Sequence, residues 1–396
     1  MDKIKEEIHK IYEEVVAWRR DFHMHPELSG EEERTSQKIE DILKKLPLEI
    51  QTGVGGYGVV GLLRGKEKGS TIALRADIDA LPIHEQNDHK YASKYNGKMH
   101  ACGHDGHTAI LLGAAHVLCA LKDEIKGNVK FIFQPSEEKA PIGGAKPMIE
   151  EGVLDHPKVD AIVGLHIWPN LSKGKIAIKE NAIMASSDPF QIEIFGKSGH
   201  ASAPDESIDA LAVACQVVNM LQYIVSRNTS PLESAVVTVG TLKSGTKYNV
   251  ISDYALLEGT VRTLHPNVQM NVEKRIKEVV EGVCSSMGAR GEVHYERGYP
   301  ALINDKDMVH LIEEVGQKLL SKENVIQVQK PAMGGEDFAN YVQKVPGAFF
   351  WLGAKEESLY PIHNPKFDFD EEIMKIGMEI FVHTVLDFLG KEKKNE

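Results

Sequence analysis

The sequence predicts an α/β protein with a smaller α+β domain inserted into it, and three observations carry that prediction. Segments of helical and of strand periodicity alternate through the first part of the chain. Two strand candidates, VKFIF and DAIVGL, are apolar on both faces, as strands inside a covered sheet are. Near residue 185 the rhythm becomes β-α-β-β-α-β, the split ferredoxin-like order, and after residue 298 the first pattern resumes.

The elements follow in order. MDKIKEEIHKIYEEVV reads as an amphipathic charged helix with no apolar signal-peptide core. Ser29 and Glu32 have the spacing of a capping box that opens a second helix through TSQKIEDILKKL. YGVVGLLRG and STIALRADID are strands, HTAILLGAAHVLCALK is a helix, and NVKFIFQPSEE is a strand. A helix near AKPMIEEGVL leads to the strand VDAIVGLHIWP. In the insert, DPFQIEIFGKS, AVVTVGTLKSG, YALLEGTVRTL and GEVHYERGYPAL are strands, while SIDALAVACQVVNMLQYIVSR and NVQMNVEKRIKEVVEGVCSSM are helices. A helix from DMVHLIEEVGQKLL, the strand GAFFWLG and a C-terminal helix complete the outer domain, and the tail GKEKKNE is expected to be disordered. The expected division is therefore 1–184 with 299–396 around an insert of 185–298, with a central mixed sheet flanked by helices in the outer part.

Charge and cysteine use narrow the function classes. A net charge of −12 argues against nucleic acid and against anionic membranes, which ask for a basic surface. No apolar run approaches the ~20 residues of a membrane span. The 4 cysteines are too few and scattered for a disulfide framework. Cys119, Cys215 and Cys284 lie in apolar helical stretches and are expected to be buried. A cytoplasmic protein with reduced thiols is the expectation.

Cys102 alone has ligand-like neighbours, in MHACGHDGHT. A C-x-H pair in a turn can aim Cys102 and His104 at one ion; a buried thiol beside a solvated histidine is the plain alternative. His100 is expected at the loop surface and His107 at a helix start, packing inward. Asp77 and Asp79 end the strand IALRADID, Glu137 and Glu138 follow the strand NVKFIFQPS, and His166 ends DAIVGLH. Ligand crevices in α/β sheets open at such carboxyl ends. Adjacent residues of an extended chain face opposite sides, so one of Glu137 and Glu138 can ligate a metal while the other handles the proton of an attacking water. His363 in YPIHNPKFDFD cannot be placed by spacing alone.

LRADIDALPI, MHACGHDGHT, FQPSEE, GLHIWP, SGHASAP, GTVRT, GGEDFA and IHNPKFDFDE stand here in the order expected of metallo-amidohydrolases. The chain resembles the group of hippurate hydrolases, N-acyl-L-amino-acid amidohydrolases and auxin-conjugate hydrolases, within the aminoacylase and glutamate-carboxypeptidase superfamily. The resemblance implies a metallopeptidase-like catalytic domain, and an insert that acts as lid and dimerisation domain. It implies two divalent metal ions (Mn, Zn, Co or Ni) on Cys102, His104, Glu138, His166 and His363, with Cys102 bridging. Glu137 is then the general base, His200 polarises the scissile carbonyl, within its own subunit or across a dimer, and Asn249 and Arg262 hold a substrate carboxylate. Asp77 is left as a supporting carboxylate behind the ligands. Arg75 stands where the peptidase branch has a ligand histidine, and Asp205 where several relatives have histidine.

The expected reaction is hydrolysis of an N-acyl-L-amino acid, a small-molecule substrate, to a carboxylic acid and a free amino acid by a homodimer or higher homo-oligomer. A dipeptidase or carboxypeptidase on the same two-metal site is one alternative. A cysteine hydrolase built on Cys102, or a non-catalytic metal-binding protein, is another.

Overall fold

A computed structural model describes residues 3–356 and 360–391. The chain divides into two compact units, one of residues 1–183, 303–330 and 337–396, the other of 184–302 and 331–336. Of the tail GKEKKNE, Gly390 and Lys391 close the helix Ile373–Lys391, and residues 392–396 lie outside the described residues.

The first unit is built on an eight-stranded mixed sheet. Its strands run in the order Glu49–Val54, Gly58–Arg64, Lys126–Gln134, Glu67–Asp77, Ala161–Ser172, Gly347–Lys355, Ile176–Ile178, Val325–Gln327. Four neighbours in the middle, Lys126–Gln134 through Gly347–Lys355, are parallel, with Asp77 level with Gln134 on one side and Arg75 level with Gly164 on the other. Val129, Phe131, Ile132 and Phe133 are all buried, because both faces of this strand are covered; Lys130 among them is buried too, its ammonium donating to the Val153 carbonyl at 2.7 Å.

The helix His104–Ala120 is buried along nearly its whole length. Gly113 lets it approach its neighbours, because a Cβ there would lie 2.3 Å from Met378 Sδ and 2.9 Å from Val15 Cγ2. The helices Lys3–Met24 and Ile373–Lys391 therefore pack on it at close range, and their apolar faces join the same core.

The expected capping box does not form. The helix Glu33–Leu43 has no cap from the Glu32 side chain; instead the Glu27 carboxylate accepts from the backbone N–H of Arg34 (3.0 Å) and Thr35 (2.7 Å). Ser29 and Glu32 are drawn away by other partners. Ser29 Oγ donates to Asp79 Oδ2 at 2.7 Å, and Glu32 Oε1 accepts from the Ser136 N–H at 2.7 Å.

The second unit has a four-stranded antiparallel sheet in the order Ala235–Ser244, Tyr254–Thr263, Asp188–Phe195, Arg290–Tyr295. With the helices Ala210–Tyr223 and Pro266–Ser286 this makes the β-α-β-β-α-β arrangement. Asp188–Phe195 alternates buried and half-buried residues along its length, so the sheet buries one face only. The helical run Ala210–Asn228 has 19 residues and a mean hydropathy of 1.2 over its apolar window, long and apolar enough to cross a membrane by that measure alone, although Gln216, Asn219 and Gln222 interrupt it. Val213, Ala214, Val217 and Leu221 on its inner face join the core of this unit. Cys215, expected to be buried, is exposed on the other face. Residues 331–336, PAMGGE, join this unit from a distant part of the chain, with Met184 bridging Ala332.

Candidate metal centre

The parallel strands Lys126–Gln134, Glu67–Asp77 and Ala161–Ser172 deliver the acidic and histidine residues to one edge of the sheet. His166 does not end its strand, which runs on to Ser172. It stands two residues past Gly164, as Asp77 stands two past Arg75 in the neighbouring strand. The segment before the buried helix supplies the rest. Gly103 has φ 89°, a conformation that suits glycine, and there the chain turns so that His104 becomes the first helical residue.

Cys102 Sγ lies 3.4 Å from His166 Nε2. His166 donates from Nδ1 to the Ile167 carbonyl at 2.7 Å, which leaves the Nε2 lone pair facing the thiol. His104 Nδ1 lies 2.9 Å from the Asp79 carbonyl and 3.3 Å from Asp79 Oδ1. Its Nε2 is buried without a hydrogen bond, 3.7 Å from Asp77 Oδ2. His363, half exposed, brings Nε2 to 3.2 Å from Glu138 Oε1, an oxygen that is itself buried without a hydrogen bond. The Glu138 backbone N–H donates to Asp79 Oδ2 at 2.9 Å. Imidazoles pinned at one nitrogen by an acceptor, with the other nitrogen free, are oriented as metal ligands.

Ligand atoms of Cys102, His104 and His166 lie within 4.8 Å of one another, as do those of Cys102, Glu138 and His363, and those of His104, Glu137 and Glu138. The closest pairs, at 3.2–3.4 Å, match the edges of about 3.3–3.6 Å in a tetrahedron built from ordinary zinc–nitrogen and zinc–sulfur distances. The residues present fit divalent cations.

The opposite-sides argument for Glu137 and Glu138 does not apply. Ser136 has φ 60°, so the chain leaves its extended course before the pair, and both carboxylates reach the neighbourhood of His104. Glu137 is buried, with Oε1 3.4 Å from the Asp337 N–H.

His100, expected at the surface, is buried at 2 % exposure with neither ring nitrogen hydrogen-bonded. Burial pulls it down to about 4. His107 packs inward. It donates from Nδ1 to Asp77 Oδ1 (2.6 Å) and accepts at Nε2 from the Ile167 N–H (2.8 Å), so neither nitrogen is available to a metal. The other Asp77 oxygen takes Arg75 Nη1 at 2.7 Å, and Arg75 Nη2 reaches Asp337 Oδ1 at 2.7 Å. Arg75 is thus the cation of a buried carboxylate network. Asp337 is pushed up to about 6, chiefly by burial and against the pull of Arg75. Asp79 is the carboxylate that holds a candidate ligand directly. Two aspartates at alternate positions of ADID were visible in the sequence, but nothing local says which one faces His104.

Burial, and then the Glu138, Glu137 and Asp77 carboxylates, push the Cys102 thiol well up. For His104 burial opposes protonation but is outweighed by Asp77 and then Asp79, which carry it up to about 10. Burial pulls His166 well down.

In the second unit His200 is exposed in the short strand Gly199–His200, paired with Val250–Ile251. Its Nδ1 accepts from the Ser202 N–H at 3.1 Å, which places the ring proton on Nε2. Asn249 Oδ1 is buried without a hydrogen bond. Arg262 stands on the strand Tyr254–Thr263, and burial, partly offset by Asp188, pulls its guanidinium down.

Residues 73–387 match the model of peptidase family M20/M25/M40. The chain is 43% identical to an N-acetylcysteine deacetylase of Bacillus subtilis over 94% of this chain and 96% of that protein. It is 41% identical to thermostable carboxypeptidase 1 of Saccharolobus solfataricus over 99% of each. A solved structure of a dinuclear metal-binding M20 peptidase from Bacillus subtilis superposes with a TM-score of 0.85 at 38% identity, covering 96% of this chain and 99% of that one. The ordered motifs from LRADIDALPI to IHNPKFDFDE and the shared fold have one source: the chain belongs to peptidase family M20/M25/M40.

Proposed function

We propose that this enzyme hydrolyses the amide bond of N-acyl-L-amino acids, releasing a carboxylic acid and a free amino acid. One observation carries the reading: a thiol, three imidazoles and two carboxylates converge, with His104 Nε2 and Glu138 Oε1 buried and lacking hydrogen bonds. Cys102, His104, Glu138, His166 and His363 would hold two divalent ions, and this mixed donor set suits Zn, Mn, Co or Ni. Such ions polarise an amide carbonyl and acidify water.

The chain's own residues do the rest. Glu137 takes a proton from the attacking water and delivers it to the leaving nitrogen. Asp79 keeps His104 and the Glu138 backbone in place, and Asp77 acts one step further out by fixing His107. His200, with its proton on Nε2, donates to the developing oxyanion. Arg262 takes the substrate's α-carboxylate in a two-pronged ion pair, and Asn249 is the second candidate for holding that carboxylate. Among the described residues no acidic side chain forms an ion pair with Arg262. The outer face of the helical run Ala210–Asn228 exposes Leu211, Met220, Tyr223 and Val225, apolar surface suited to a second copy of the chain.

The carboxypeptidase relative suggests peptides as further substrates, since a peptide is also an N-acylated amino acid. The Cys102–His166 contact at 3.4 Å has the form of a nucleophile and its base. An activated cysteine nonetheless needs its thiol pushed down, and here it is pushed up.

N-acetyl-L-methionine compared with its α-carboxamide tests the substrate class. The carboxamide keeps one oxygen for the guanidinium, so the loss of one charge-assisted hydrogen bond predicts a preference for the acid of about 10–100-fold in kcat/KM, and Arg262→Met should abolish that preference. Equal turnover of acid and amide by the unaltered enzyme would contradict the reading.

A further inference from the structure

A second group of ligand-type side chains lies in the first unit, outside the centre above. His23, in the last turn of the helix Lys3–Met24, is fully buried. Its Nδ1 lies 2.8 Å from Asp105 Oδ2 and its Nε2 3.1 Å from Glu85 Oε1. The same Glu85 oxygen is 3.3 Å from His89 Nε2. Both ring nitrogens of His89 are shut off from solvent, and neither makes a hydrogen bond. His89 stacks on Tyr91 with ring centroids 3.8 Å apart, which fixes its plane.

We propose that His23, Glu85 and His89 form a further metal site that takes one divalent transition-metal ion of the zinc type. The ligand atoms of the three lie within 4.8 Å of one another. The two shortest separations, 3.1 and 3.3 Å, are close to the edge of about 3.3 Å that two imidazole or carboxylate ligands share on tetrahedral zinc. Two histidines and a glutamate are a common donor set for that ion. Asp105 supplies the outer carboxylate that typically holds a metal-binding histidine by its second nitrogen.

Charge balance favours a divalent occupant. Glu85, Asp105, Asp368 and Glu371 gather here, and the guanidiniums facing them are Arg19, on Asp105, Asp368 and Glu371, and Arg20, on Glu371. Four carboxylates against two guanidiniums leave two negative charges. A proton on His23 neutralises one of them; a divalent ion neutralises both and uses His89, whose Nε2 also lies 3.6 Å from Asp368 Oδ2. His100 lies beside His23, with ring centroids 6.5 Å apart. Asp105 is the residue after His104, so the ion would tie the N-terminal helix and the Glu85–Tyr91 segment to the helix that presents His104.

The test is a metal count. Unaltered protein and His89→Gln are stripped with chelator, reloaded with zinc alone, desalted, and assayed for zinc per chain. His89→Gln should hold one equivalent less, a difference that does not depend on how many ions the Cys102 centre takes. Glu85→Gln should show the same loss. Cobalt-loaded samples give an independent signature. The difference spectrum between unaltered protein and His89→Gln should show ligand-field bands without thiolate-to-cobalt charge transfer, because this site has no sulfur. Equal zinc in all three proteins would overturn the proposal, and so would a difference spectrum carrying the thiolate band.

Discussion

Glu137→Gln is expected to keep its full metal complement and to lose turnover by about 10²–10⁴-fold, the usual contribution of a positioned general base. Glutamine preserves the size of the side chain and the oxygen that faces the Asp337 N–H at 3.4 Å. It cannot accept the proton of the attacking water or return it to the amide nitrogen. Because Glu138 and not Glu137 is the proposed ligand of the pair, zinc or manganese content should stay level while kcat falls and KM changes little. Metal analysis alongside steady-state kinetics reads both quantities. Near-normal turnover would remove Glu137 from its role, and loss of metal would make it a ligand.

Cys102→Ala should be affected at least as strongly. Cys102 groups with both the His104 and His166 pair and the Glu138 and His363 pair. Its loss should lower metal retention after desalting and cut kcat/KM by about 10³-fold or more, since Lewis-acid stabilisation contributes several kcal/mol and each 1.4 kcal/mol is tenfold in rate. The variant also separates two chemistries. A protein that keeps all its metal and is inactive would point to Cys102 as the nucleophile instead.

The sequence read well where local pattern and packing agree. VKFIF and AIVGL are buried on both faces, and predominantly apolar runs are the direct imprint of that environment. The gathering of Cys102, His104 and Glu138 was also legible, because a strand end and a helix start share one sheet edge; His166 was expected at a strand end, yet its strand runs on to Ser172. What failed depended on distant partners. His100 sits in a polar stretch that reads as loop, and only long-range packing buries it. Ser29 and Glu32 have the capping-box spacing, but Asp79 and the Ser136 backbone compete for the same atoms, leaving the cap to Glu27. The kink at Ser136 overrides the alternation expected of an extended chain. Cys215 shows the limit of composition, since LAVACQVV marks an apolar helix without saying which face is outward. His363 became a candidate ligand through resemblance alone, as its Pro-rich loop has no period to place it.

The most direct test of the account is amine release from N-acyl-L-amino acids by chelator-stripped protein and by the same protein reloaded with Zn, Mn, Co or Ni. Activity absent after stripping, with metal content verified, and restored by reloading is the predicted result. Undiminished activity in verified metal-free protein would contradict the metal centre at Cys102, His104, Glu138, His166 and His363, and with it the proposed mechanism.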